Sequence, residues 1–300
     1  MTAPSPLTAV RQPPSSVGPL HWVDSDAALL TGSATPVRST GSYDADRRPV
    51  ILCLHGIGSS SASFSTQLSG LAPAHRLLAW DAPGYGASGD PLAPPGMAGY
   101  AEAVVDLMHR MGRRVHLLGV SWGAVVALQV ALRARHLLHG VVLVGASRGS
   151  GRSAEAASSM RARADELRVV GAEAFARSRA PRLVSPGASE ELVSTVTQIM
   201  ASAVRLPGYA YAAEAMASTN LSEQLHDVDV PVLALYGEHD TVTGPPEGEA
   251  IAGGIRGAVS VSVARAGHLA NQEQPEAVNA WIASFVQIAH RLNPDRPPPT

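Results

Sequence analysis

The chain of 300 residues contains no lysine: all 23 of its basic residues are arginine. That usage fits a genomic codon bias, and it removes Schiff-base catalysis and any phosphate-loop lysine from consideration. Cysteine is nearly as scarce. The single one, Cys53, cannot form an internal disulfide and sits in an apolar run, so it reads as a buried structural thiol in a reducing compartment. Residues 1–18 lack the basic start and apolar core of a secretory signal, and no apolar run reaches membrane-spanning length. A cytoplasmic chain with no membrane partner is expected. A formal net charge of −2 offers no surface for nucleic acid. There is no G-x-x-x-x-G-K-[ST], no strand-borne G-x-G-x-x-G and no His/Cys/Asp cluster with metal-ligand spacing, so neither a cofactor nor a metal is expected.

What is present is enough apolar residue, 45%, for a large core, and a single elaborated α/β domain is the simplest reading. Proline-rich ends, 1–18 and 293–300, are expected to be disordered. Residues 20–46 suit an antiparallel hairpin at a sheet edge. Apolar runs at 49–54, 76–80, 115–120, 140–144, 230–236 and 259–263 predict strands of a mostly parallel central sheet, with helices at 97–111, after Ser121, and at 275–288. Between 148 and 221 the pattern changes to Ala/Arg-rich helical segments. This predicts a core of 19–147 and 222–292 interrupted by a helical cap that lies over the carboxyl edge of the sheet, where ligands of open α/β sheets bind.

The sharpest signal is V-H-L-L-G-V-S-W-G-A-V-V-A-L, residues 115–128. A serine on a one-residue turn between a buried strand and an apolar helix takes a strained backbone, and Gly119 and Gly123 beside it let strand and helix pass closely. Such a G-x-S-x-G elbow lifts the Ser121 hydroxyl clear of the sheet and aims the first helix amides at a reacting carbonyl. Trp122 then matters for its backbone N–H. Short patterns of this kind are also ordinary turns, so partners are required at other strand ends.

They are found in the order serine, acid, histidine. Asp240 follows the 230–236 run in a polar turn, with Glu238 and His239 as neighbouring competitors and a turn-capping role as its bland alternative. His268 follows the 259–263 run. Upstream, His55-Gly56-Ile57-Gly58 ends the 49–54 run; a tight turn alone would explain the glycines, but beside the elbow the Ile57 N–H becomes the second oxyanion donor. His55 and Asp81 read as turn-bracing groups. Arg161, Arg163, Arg168, Arg177, Arg179, Arg182 and Arg205 raise an acidic substrate, although most are expected to be solvated helix-face charges.

Through H-G-I-G, D-A-P-G-Y-G-A-S-G, G-V-S-W-G, G-E-H-D and A-G-H-L-A-N-Q-E-Q-P, the chain resembles the α/β-hydrolase family over residues 20–292. Within it, the esterases and 3-oxoadipate enol-lactonase-like proteins are most similar. The resemblance implies an α/β-hydrolase fold, Ser121 as nucleophile, Asp240 as acid, His268 as base, Ile57 and Trp122 as oxyanion amides, and a serine esterase or lactonase acting on a small molecule. C–C bond hydrolysis of the meta-cleavage-product type is the alternative, weakened because Ser59-Ser60, Val120, Ala124 and Leu269 depart from that group's motifs. A low-turnover small-molecule receptor on the same fold is another. Monomer and homodimer are both open.

Overall fold

Five stretches rich in Val, Leu, Ile and Ala leave no side for solvent, and they become the middle of a seven-stranded sheet. The computed structural model describes residues 19–26 and 48–292; the expected disordered ends and the second arm of the expected hairpin lie outside the described residues. The strands are β1 (His21–Asp24), β2 (Val50–Leu54), β3 (Arg76–Asp81), β4 (Val115–Val120), β5 (Leu138–Val144), β6 (Val232–Gly237) and β7 (Val259–Val263), in the order β1-β3-β2-β4-β5-β6-β7. From β2 to β6 every residue is buried, and all the pairings from β3 across to β7 are parallel. A sheet covered on both faces demands both properties. The edges differ: β1 runs antiparallel to β3, and β7 exposes most of its residues.

Strand alternation sorts the core into two layers. Leu52 and Leu54 face α2 (Gly96–Met111) and α3 (Trp122–Ala134), whereas Ile51 and Cys53 face α1 (Ser65–Leu71) and the long C-terminal helix, residues Pro275–Leu292. Cys53 is fully buried, and burial pushes its thiol far up. The strand expected at 230–236 begins two residues later. Pro231 has no N–H to give a ladder, and its carbonyl accepts from Val141 at 2.9 Å before the strand starts.

Between β5 and β6 the chain forms α4 (Ala154–Arg179), α5 (Glu190–Ala203) and α6 (Gly208–Ala217). Serines start the first two. Ser153 accepts the Ala156 N–H at 3.1 Å and Ser189 accepts that of Leu192 at 3.2 Å, each cap worth ~1 kcal/mol. The 26-residue α4 is two limbs broken at Gly171, whose φ of 75° and ψ of 166° no helix contains. After β6 come α7 (Gly244–Gly254), the short α8 (Ala270–Glu273) and the C-terminal helix, α9. Among the described residues no helix is long and apolar enough to cross a membrane.

One buried group opposes this packing. His116 on β4 is fully buried against His139 and His290, with ring centroids 5.2 and 6.2 Å away, and neither of its ring nitrogens has a hydrogen-bond partner among the described residues. Burial first, then the neighbouring imidazoles, push its pKa well below the ordinary 6.5. Below pH 6.5 the unfolded chain therefore binds a proton that the folded chain refuses, and stability falls as pH falls. We expect His116→Leu to stabilise the protein at pH 7 by about 1–3 kcal/mol, and by more at pH 5.5, in urea unfolding. A loss of stability, or a gain that does not grow on acidification, would show that the imidazole is accommodated.

Candidate active site

The end of β4 sets the geometry. Ser121 has φ 53° and ψ −115°, a conformation costing about 1–3 kcal/mol, and its amide still donates to the Val144 carbonyl at 2.8 Å. A Cβ on Gly123 would lie 2.0 Å from the Leu54 carbonyl oxygen. Only glycine permits α3 to leave the strand this close to β2.

His268 comes from beyond β7, three strands from β4. Its loop folds back over the ends of β6 and β5. The His239 N–H donates to the Ala266 carbonyl at 2.8 Å, and a Cβ on Gly237 would be 2.0 Å from the Gly267 oxygen. At the end of β5, a Cβ on Gly145 would be 3.0 Å from His268 Nδ1. Small residues at both strand ends thus bring the imidazole to the serine, with Nε2 2.8 Å from Ser121 Oγ.

Asp240 lies behind it, Oδ2 2.9 Å from His268 Nδ1. Its other contacts are the N–H groups of Val242 and Thr243, at 2.8 and 3.1 Å on Oδ1, and the Thr243 hydroxyl, at 2.8 Å on Oδ2. Burial would push this carboxyl up. The hydrogen bonds from His268 and Thr243 outweigh it and hold the acid well below the usual carboxylate range. An ionised carboxylate only accepts, so Nδ1 carries the proton and Nε2 is free to accept from the serine hydroxyl.

The two amides expected to hold an oxyanion are close by. Trp122 is the first residue of α3, where N–H groups have no intrahelical partner, and its indole packs edge-on to Tyr100 at 4.7 Å in the core. Ile57 occupies the second position of a turn closed by the Ser59 N–H on the Gly56 carbonyl at 3.1 Å, and it lines the same cavity as Ser121. His55 braces that turn. Its Nδ1 donates to the Gly56 carbonyl at 2.8 Å and its Nε2 accepts the Ala82 N–H at 3.0 Å, while burial lowers its pKa to about 4. Asp81 accepts from Ser61 and Ala87 amides at 2.8 and 2.9 Å, so it is committed to loops on the far side of Ser121. Glu238 accepts the Arg265 N–H at 3.0 Å, and His239 lines the cavity without joining the triad of contacts.

A cavity of about 550 Å³ opens above Ser121 and His268, roofed by α4, α5, α6 and the loop at 181–186. The seven arginines divide. Arg161, Arg168, Arg177 and Arg205 pair with Glu214, Asp165, Glu173 and Asp90 at 2.5–3.5 Å, whereas Arg163, Arg179 and Arg182 line the cavity. Two supporting residues escaped the sequence reading. Thr243 carries no motif that marks its hydroxyl. Glu273, within the A-N-Q-E-Q-P stretch, accepts the N–H groups of Gly267 and Ser185 at 2.7 and 2.8 Å, tying the histidine loop to the helical segment above it. Among the described residues no group of three His, Cys, Asp or Glu is placed to hold a metal ion.

Comparison with known proteins follows the same lines. The profile described as Alpha/beta hydrolase family matches residues 51–281. The 3-oxoadipate enol-lactonase 2 of Acinetobacter baylyi is 26% identical over 244 residues, covering 80% of this chain and 89% of that protein. A malate-bound thermophilic esterase from Thermogutta terrifontis is similar in structure at a TM-score of 0.77 with 27% identity, over 90% of this chain and 94% of its own. The enol-lactonase from Burkholderia xenovorans LB400 shares the fold at a TM-score of 0.75 and 22% identity, over 89% and 96%.

The contacts of Ser121 predict selective reactivity. A fluorophosphonate should label one residue, Ser121, as mapped by peptide mass spectrometry, and His268→Ala should slow labelling at least about 100-fold. Labelling elsewhere, or at an undiminished rate, would mean that the imidazole does not activate the hydroxyl.

Proposed function

The chain belongs to the Alpha/beta hydrolase family, and from that premise we propose that it hydrolyses a carboxylic ester, lactone or enol-lactone of a small molecule through an acyl-enzyme on Ser121. The observation that carries the reading is the bridging imidazole, 2.8 Å from the serine oxygen on one side and 2.9 Å from a buried carboxylate on the other.

The steps follow from proton positions. His268 Nε2 takes the hydroxyl proton as Ser121 Oγ attacks the carbonyl carbon, and the imidazolium so formed is stabilised by Asp240, which stays ionised. The carbonyl oxygen becomes an oxyanion held by the Ile57 and Trp122 amides, each such donor typically worth ~3 kcal/mol in the transition state. Collapse expels the alcohol, which leaves with the proton from Nε2; for a lactone it stays attached to the acyl chain. Water then loses a proton to the same nitrogen, attacks the acyl carbon and releases the acid with Ser121 restored. Trp122 qualifies as a donor because its amide stands at the positive end of α3.

The helices of 148–221 act in this reading as a lid on the core of 19–147 and 222–292, shaping the pocket and limiting water. Similarity to esterases and to the Acinetobacter baylyi enol-lactonase supports ester and lactone chemistry over other reactions of the fold. With short p-nitrophenyl esters and an enol-lactone as substrates, Ser121→Ala should reduce kcat/KM by at least about 10⁴-fold. Asp240→Asn should reduce it by about 10³–10⁴-fold, both with unchanged circular dichroism. Turnover retained by Ser121→Ala would remove the serine from the reaction.

A further inference from the structure

Thr243 stands where a helix cap belongs and caps nothing. It is the N-cap residue of α7, yet its side chain makes no hydrogen bond to that helix. A threonine in this place ordinarily accepts an N–H from the second or third helical residue. In the stretch T-G-P-P-E those residues are Pro245 and Pro246, which have no N–H to give. The sequence has removed the local partners of the hydroxyl, and the half-buried side chain reaches instead toward the groups that follow β5 and β6.

Three atoms lie within its range. Asp240 Oδ2 is 2.8 Å from Thr243 Oγ1, the Gly145 carbonyl oxygen 3.3 Å and His268 Nδ1 3.4 Å. Nδ1 already carries a proton, so the single hydroxyl hydrogen goes to the nearer and charged acceptor, Oδ2. The same oxygen takes the Nδ1 proton at 2.9 Å. Oγ1, Oδ2 and Nδ1 thus close a triangle, and with the Val242 and Thr243 amides on Oδ1 the carboxylate receives four donors. A carboxylate whose charge is shared among four donors favours a neighbouring imidazolium less than one that has three.

We propose that Thr243 is a positioning residue that acts through Asp240. Its hydroxyl holds Oδ2 in line with Nδ1 and draws charge from it, so that Nε2 stays unprotonated, and able to accept from Ser121, further into acid than the aspartate alone would allow. The paired prolines of α7 make the assignment exclusive, because they leave the hydroxyl no helix amide to cap. Other charged groups surround the pair: Glu238 and His239 on its own turn, Glu247 on α7, Glu273 on α8, and Arg163, Arg179 and Arg182 on the cavity wall. A substitution at 243 leaves all of them in the chain, and the two amides on Oδ1 as well, so it isolates the hydroxyl.

Thr243→Val keeps the shape of the side chain and deletes the donor. With a p-nitrophenyl ester, the acid limb of the kcat/KM profile should move up by about 0.5–1 pH unit, and Thr243→Ser should return it to the wild-type position. These kinetics rest on the hydrolase reading. A second measurement does not: in Ser121→Ala protein, the NMR titration of the His268 Cε1–H, assigned by its absence from Ser121→Ala/His268→Gln protein, should show the same upward shift when Thr243→Val is added. Thr243→Cys, whose thiol is a weak donor, replaces the valine variant if that one does not fold, and should shift the titration in the same direction. An activity loss uniform across pH with an unmoved titration would reduce Thr243 to a structural residue and overturn the proposal. So would a downward shift, or a Thr243→Ser shift as large as that of Thr243→Val. If no ester is turned over in a Ser121-dependent way, the hydrolase reading fails while the titration still decides the role of Thr243.

Discussion

Everything in this molecule depends on carrying one imidazole across the top of the sheet. Parallel strands stand about 4.8 Å apart, so β4 and β7, three steps distant, begin about 14 Å from each other. A histidine side chain spans less than half of that. The backbone makes up the difference by folding the 264–268 loop over β6 and β5, which is possible because Gly237 and Gly145 offer it no side chain to cross. Glu273 then fixes the loop from below and the helical segment from above with a single carboxylate. The site is a consequence of sheet order, of two small strand ends and of one brace.

Strain and electrostatics pull in the same direction. Ser121 holds a backbone conformation that an unconstrained serine would leave, and β5, α3 and β2 enclose it so closely that it cannot relax. Asp240 is kept ionised in a buried place by its hydrogen bonds from His268 and from the hydroxyl and amide of Thr243, which leaves the imidazole one tautomer. Pre-arranged groups of this kind do not have to reorganise when charge develops on the substrate.

Most of the frame was legible in the sequence because parallel strands buried on both faces must be written as unbroken apolar runs. The turn that ends each run then falls at the same edge of the sheet, so Ile57, Ser121, Asp240 and His268 could be named before their distances were known. Less could be said where side-chain direction depends on a break in regularity. Periodicity along 154–179 assumes one continuous helix; Gly171 resets the phase, and with it the answer to which arginines face inward. Arg205, grouped with the others by composition, instead clasps Asp90 and the Gly86 carbonyl and holds the segment to the loop after β3. Thr243 was invisible because its role comes from a turn, and β7 was expected as a strand at 259–263 while its position at the exposed sheet edge was not.

The central claim is a covalent one, that the acyl group passes through Ser121. Intact-protein mass spectrometry of samples acid-quenched within milliseconds of mixing with a p-nitrophenyl ester tests it most directly. The account predicts a species heavier by one acyl group, formed in a burst of one equivalent of nitrophenol and carried on the peptide that contains Ser121. Steady turnover with the protein unmodified at every quench time, or an acyl group carried on any other residue, would contradict it.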